Sequence, residues 1–215
     1  MSRAATGTQT VCALLARGAL WGALTLGCAP LLGAAPAASA AVGSGGTESL
    51  DELLQLLAQR RHGHATFTEV HEVAMLERPL QSSGELLYEA PDRLEKRTLK
   101  PKPEDLLLEH GVLTVQRGHR HRVLSLRDYP QIVPFVESIR ATLAGDRAAL
   151  ERYFTVQFSG SLADWTLELR PKDATVARAV QNVRIHGERD AIRTVEIRQR
   201  DGDSSVLTIG PEVSR

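Results

Sequence analysis

From Ala65 onward the chain is a succession of short apolar runs, each cut off by Gly, Pro or Asp, and this punctuation constrains the fold more than any other feature. The runs are Thr66 to Val73, Gly84 to Glu89, Arg93 to Leu99, Leu106 to Leu108, Val112 to Gln116 and Arg122 to Leu126, then Thr155 to Phe158, Trp165 to Leu169, Val183 to Gly187, Ile192 to Arg198 and Ser205 to Ile209. Their length and spacing are those of antiparallel strands. The turns have chemical causes. Pro91-Asp92 starts one, Pro101 and Pro103 cannot donate to a ladder, Gly111 and Gly118 accept positive φ, and Asp201-Gly202-Asp203 makes a hairpin. Trp165, Leu167 and Leu169 alternate with Thr166, Glu168 and Arg170, so the sheet has one wet face.

Two segments break the period. Ser49 stands three residues before Glu52, a capping-box spacing, and Leu50, Leu53, Leu54 and Leu57 follow at helical intervals, which predicts an amphipathic helix from about Leu50 to Arg60. Ile132, Phe135, Val136, Ile139 and Leu143 share one helical stripe that Gly145 ends, and Asp146 then caps a second helix to about Tyr153. Asp173 to Ala179 reads equally as a short helix or an irregular connection. A helix, about six strands, a helical pair and about five strands give an α+β fold: a long antiparallel sheet that curls into a half-open β-barrel, with helices covering its concave face. The inner apolar residues either fill a solid core or leave a groove, and the pattern leaves both open.

The chain's first residues carry Arg3 and Arg17, an uncharged run from Gly18 to Thr47 and a small-residue exit at Ala38-Ser39-Ala40. This is the layout of a secretory signal peptide, residues 1–40, cleaved after Ala40. A lipoprotein acylated at Cys28 is the alternative, because Leu24-Thr25-Leu26-Gly27-Cys28 loosely resembles a lipobox. Residues 41–48 are a flexible lead-in, and 49–215 form one domain. Both cysteines, Cys12 and Cys28, lie in the leader, so the cleaved chain has no thiol chemistry. Once the leader's two arginines are gone, acidic residues outnumber basic ones by two, which argues against a nucleic-acid partner. Aromatic residues are 4% of the chain, which favours flexible alkyl ligands over flat ones.

Chemistry-bearing motifs are sparse. His62 and His64 flank Gly63, and His119 and His121 flank Arg120, but no third ligand stands at helical spacing beside either pair, so both are read as solvated residues rather than a metal site. Phe158-Ser159-Gly160-Ser161-Leu162 lacks the nucleophile elbow of a hydrolase, and Glu104-Asp105 beside Pro103 is read as a turn. No phosphate-binding glycine loop is present. The chain is expected to be non-enzymatic, with no cofactor or metal. Arg117, Arg120, Arg122 and Arg127, with His119 and His121, form a basic cluster that either faces anionic headgroups or an acidic membrane partner, or guards a strand edge. Lys96, Arg97, Lys100 and Lys102 form a second.

Phe67-Thr68-Glu69, Ser83-Gly84-Glu85-Leu86, Ala90-Pro91-Asp92-Arg93-Leu94 and Leu167-Glu168-Leu169-Arg170-Pro171, in this order, resemble the outer-membrane lipoprotein carrier (LolA) family over about Ser49 to Ile209. Leu143-Ala144-Gly145-Asp146, Trp165 to Leu169 and Asp201 to Ser205 are similar to a LolA-like branch associated with aryl-polyene or xanthomonadin-type clusters. The resemblance implies a LolA/LolB-like fold and a monomeric periplasmic carrier. Its cargo would be lipoprotein acyl chains or an acyl-lipid, passed between an inner-membrane exporter and an outer-membrane acceptor. The alternative is a non-catalytic adaptor of an envelope lipid or pigment export complex. Expected cavity residues are Val70, Leu86, Tyr88, Leu94, Leu106, Leu108, Leu113, Val123, Phe135, Ile139, Leu143, Trp165 and Leu167. The family pattern has an Arg immediately before the hairpin proline that latches the lid. Here Ala90 stands there, and Arg93, three residues on, would need a different geometry to serve.

Overall fold

The computed structural model describes residues 49–130 and 132–213. The expected signal peptide, the lead-in at 41–48 and Cys28 lie outside the described residues. Helix α1 spans Leu50–Ala58, shorter than expected, and Ser49 and Glu52 cap it reciprocally: Glu52 donates its backbone N–H to the Ser49 hydroxyl at 3.2 Å, and Ser49 donates its own to the Glu52 carboxylate at 2.7 Å. Leu53, Leu54 and Leu57 are its buried face.

Six strands follow: β1 (His62–Glu72), β2 (Leu80–Glu89), β3 (Arg93–Lys100), β4 (Glu104–Glu109), β5 (Val112–Arg117) and β6 (Arg120–Ser125). A 3-10 turn at Leu126–Asp128 leads to α2 (Val133–Ala144), which ends at Gly145 with φ of 67°. Helix α3 (Arg147–Tyr153) starts from Asp146, whose carboxylate accepts the Ala149 N–H at 2.9 Å. Then come β7 (Phe154–Ser161), β8 (Asp164–Pro171), β9 (Val180–Glu188), β10 (Ala191–Gln199) and β11 (Ser204–Glu212). The segment left open between β8 and β9 is helix α4 (Ala174–Ala179), because the Asp173 carboxylate accepts the N–H groups of Thr175 and Val176. Among the described residues no helix is long and apolar enough to cross a membrane.

All eleven strands form one antiparallel sheet in the order β6-β5-β4-β3-β2-β1-β11-β10-β9-β8-β7. The first and last strands are neighbours at its centre, Val70 opposite Val206. The two edges, β6 and β7, are the strands that the helical pair connects. They do not pair with each other, so the curled sheet stays open and α2 and α3 carry the chain across its concave side. The main core lies under α1, where Leu53, Leu54 and Leu57 meet Trp165, Leu167, Leu169, Val183 and Ile185, all at most 2% exposed. Close approach of the sheet makes this possible: a Cβ at Gly187 would come within 2.2 Å of the Trp165 ring. A smaller cluster, Leu108, Leu126 and Ile132, packs under the start of α2.

Candidate functional site

Between the two clusters the concave face is not filled. A cavity of about 1060 Å³ runs over β10, β11 and β1 to β5, roofed by Phe135, Val136, Ile139 and Leu143 of α2. Its strand wall alternates correctly for one face of a sheet. Leu86 and Tyr88 of β2 stand beside Lys96 and Leu94 of β3, which stand beside Leu106 and Leu108 of β4, followed by Val115 and Leu113 of β5 and Leu124 of β6. Val195, Ile197, Leu207 and Ile209 complete the apolar wall from the other side.

Nine of the thirteen residues singled out from the sequence line this cavity: Leu86, Tyr88, Leu94, Leu106, Leu108, Leu113, Phe135, Ile139 and Leu143. Four do not. Trp165 and Leu167 have the correct, concave side, but α1 covers them and they are fully buried in solid core, the Trp165 indole N–H donating to the Arg189 carbonyl at 2.8 Å. Val123 is 59% exposed on the other face of β6, where its neighbour Leu124 takes the inward position opposite Leu113. Val70 is displaced by the same parity: Phe67 and Glu69 are the buried positions of β1, so the residue between Glu69 and His71 points away from the cavity.

That parity brings in a polar group the pattern did not flag. Glu69 is 7% exposed and is held by Lys96 at 2.5 Å, His71 at 3.3 Å, and the hydroxyls of Ser82 at 3.1 Å and Ser205 at 3.2 Å. Burial alone would raise the Glu69 carboxyl, but the hydrogen bond from His71 and the charge of Lys96 outweigh it and hold the pKa down to about 2. Lys96 also lies 5.0 Å over the Phe67 ring. The signal was present in the sequence: Glu69 and His71 share the parity of Phe67. Lys96 therefore belongs inside and not to an outer basic cluster. Tyr88 is buried too, and its hydroxyl has no hydrogen-bond partner among the described residues.

The lid is held differently from the family pattern. Ala90 offers only its backbone N–H, to the Arg61 carbonyl at 2.9 Å. Arg93 spends its guanidinium on Glu95 of its own strand and on Glu89 and Glu109 of the neighbouring strands, at 3.6 to 4.0 Å, and none of it on α2. What ties the lid to the rest is helix packing at Gly145, where a Cβ would fall 2.3 Å from the Leu54 carbonyl oxygen, and the ion pair of Arg147 with Asp51 at 2.8 Å. Of the histidine pairs, His64 lines the cavity 3.4 Å from Glu85, and no group of three or more possible metal ligands occurs among the described residues.

No curated protein sequence matches the chain. Among solved structures it is similar to a LolA superfamily protein, NE2245 of Nitrosomonas europaea, at 13% identity over 77% of this chain and 93% of that one, with a TM-score of 0.42. It is similar also to the MucA/MucB complex of Pseudomonas aeruginosa, at 13% identity over 76% of this chain and 56% of that one, with a TM-score of 0.44. The model for outer membrane lipoprotein carrier protein LolA-like sequences matches residues 37–211, well over half of the chain. The curled, lidded sheet therefore has its family: this chain belongs to the LolA-like outer membrane lipoprotein carrier proteins.

Proposed function

We propose that this chain is a periplasmic carrier that takes acyl chains, of a lipoprotein or of an acyl or polyene lipid, into the cavity under α2 and moves them towards the outer membrane. The observation that carries the reading is the cavity itself, about 1060 Å³ and walled by Leu, Val and Ile with little aromatic surface. That volume is at the top of the roughly 300–1,000 Å³ usual for ligand sites. Burial of each methylene is worth about 0.8 kcal/mol, so an acyl chain of about sixteen carbons gains on the order of 12 kcal/mol gross, from which immobilisation must be subtracted. The side chains engage the cargo by contact alone; binding and release are reversible burial with no covalent step and no cofactor. With no Arg at position 90 to latch it, the lid opens when α2 moves against α1 about the Gly145 contact, a shift between closed and open populations that the cargo biases.

Native mass spectrometry with lipid extraction, on protein purified gently from its own host, tests the reading. A stoichiometric lipid adduct that Leu106→Glu removes from a folded protein is the expected result. A clean apo mass that stays clean after mixing with candidate lipids overturns it in favour of a ligand-free adaptor.

A further inference from the structure

Inside the cavity, one inward row of the sheet divides apolar wall from polar wall. Lys96 of β3 stands on that row between Leu86 of β2 and Leu106 of β4, its direct ladder partners. One row towards α2 the inward residues are Tyr88, Leu94, Leu108 and Leu113. One row the other way they are Gly84, Thr98 and Glu104, the last paired with Arg117. The Lys96 ammonium thus stands where a tail lying under α2 ends. It has three N–H donors, and the described residues give it one acceptor, Glu69 at 2.5 Å, and one ring, Phe67 at 5.0 Å. Its side chain lines the cavity and is 20% exposed. Glu69 is saturated by contrast, with Lys96, His71, Ser82 and Ser205 all directed at it. The ion pair is balanced in charge, and Glu72, Glu104 and Asp203 line the cavity at the same end, so no excess of positive charge awaits an anion there. Arg122 shares the row of Lys96 but is exposed and three strands away, about 14 Å at the ladder spacing.

We propose that Lys96 is the polar anchor of the cavity and takes the uncharged carbonyl of an acyl ester, whose tail runs past Leu86 and Leu106 to Leu108 and Leu113 under α2. The same site discriminates against a free fatty acid. This inference rests on the carrier reading and names the class of cargo within it. A spare ammonium N–H gives the ester carbonyl a charge-assisted hydrogen bond at the edge of an apolar wall, where water competes poorly. A carboxylate would accept the same bond, but it must first leave water and then sit beside Glu69, which stays ionised. A lysine that only neutralised Glu69 would leave the choice between ester and acid indifferent to both residues.

Fluorescence titration of the mature chain with three probes tests the assignment: the methyl ester of cis-parinaric acid, the free acid, and diphenylhexatriene, a hydrocarbon with no acceptor. Near neutral pH the ester is expected to bind about tenfold more tightly than the acid. Lys96→Met/Glu69→Gln removes both charges and strands neither; it is expected to weaken the ester about tenfold and to leave diphenylhexatriene unchanged, which also reports an intact cavity. Glu69→Gln alone leaves the ammonium unbalanced and is expected to turn the preference towards the acid. With diphenylhexatriene bound normally, three results each overturn the inference and leave the carrier reading standing: acid binding that matches ester binding in the parent, full ester affinity in the double variant, or an unchanged preference in Glu69→Gln. Failure of all three probes to bind the parent removes the carrier reading and this inference with it.

Discussion

The two halves of the sheet are built from the same kind of strand and end differently. On the β7 to β10 side, α1 sets three leucines onto Trp165, Leu167, Leu169, Val183 and Ile185, with Leu150 and Phe154 closing the flank, and the result is solid. On the β2 to β5 side the inward residues are also largely apolar, with Lys96 and Glu104 among them, yet only one flank of α2 faces them, and Leu94, Leu106 and Leu113 border empty space. The sheet residues do not make the cavity. It arises because the helices supply too few side chains to fill both halves, so lipid capacity and stability are separated along one continuous face.

The comparison breaks most sharply by truncation. Leu57→Ala in the filled half is expected to cost about 3–5 kcal/mol in urea unfolding, because nothing can collapse into the void. Leu106→Ala on the cavity wall is expected to cost about 1 kcal/mol or less, since its side chain already borders open volume; equal costs would mean that the cavity closes in solution. Trp165 to a charged residue accordingly unfolds the protein rather than reporting on cargo.

Glu69→Gln comes next, with an expected loss of about 2–3 kcal/mol from a charge-assisted network that spans the boundary between the halves. The pH dependence has a definite sign. The carboxyl lies near 2 in the folded chain against 4.5 unfolded, so the unfolded state binds the proton first. Its contribution is full above about pH 4.5 and is lost as pH falls towards 2. Stability measured across that window should slope less in Glu69→Gln than in the parent, and identical slopes would remove Glu69 from the network.

Gly145→Ala sharpens the comparison at the lid. Its positive φ and the nearby Leu54 carbonyl predict a loss of about 1–2 kcal/mol and looser packing of α2 on α1, seen as faster amide exchange in α2 with the strands unaffected. Last, Val123→Ser is expected to change stability by less than about 0.5 kcal/mol, because the side chain is outside. A larger effect would place Val123 within the fold after all.

The elements themselves were legible. The capping box at Ser49 and Glu52, the stop at Gly145, the Asp146 cap and the hairpin glycines are local features whose backbone requirements do not depend on the rest of the molecule. Which face each strand buries was legible only where one parity was apolar and the other polar, as at Trp165 to Arg170. It failed at Val123-Leu124, where both parities are apolar. It failed again at β1, where Val70 was expected in the cavity and the inward position belongs to Glu69. There the interior holds a carboxylate because Lys96, His71, Ser82 and Ser205 arrive from three other strand positions and its own strand to satisfy it, a partnership between residues up to 136 positions apart.

The sequence by itself determined the meander, the helical pair between its edge strands and the apolar stripe of each helix, since these rest on neighbours within a few residues. Only the tertiary structure decided that α1 fills one half and leaves the other hollow. That outcome depends on how much side-chain volume three helices bring to a surface whose area is set by all eleven strands, a balance no local window contains.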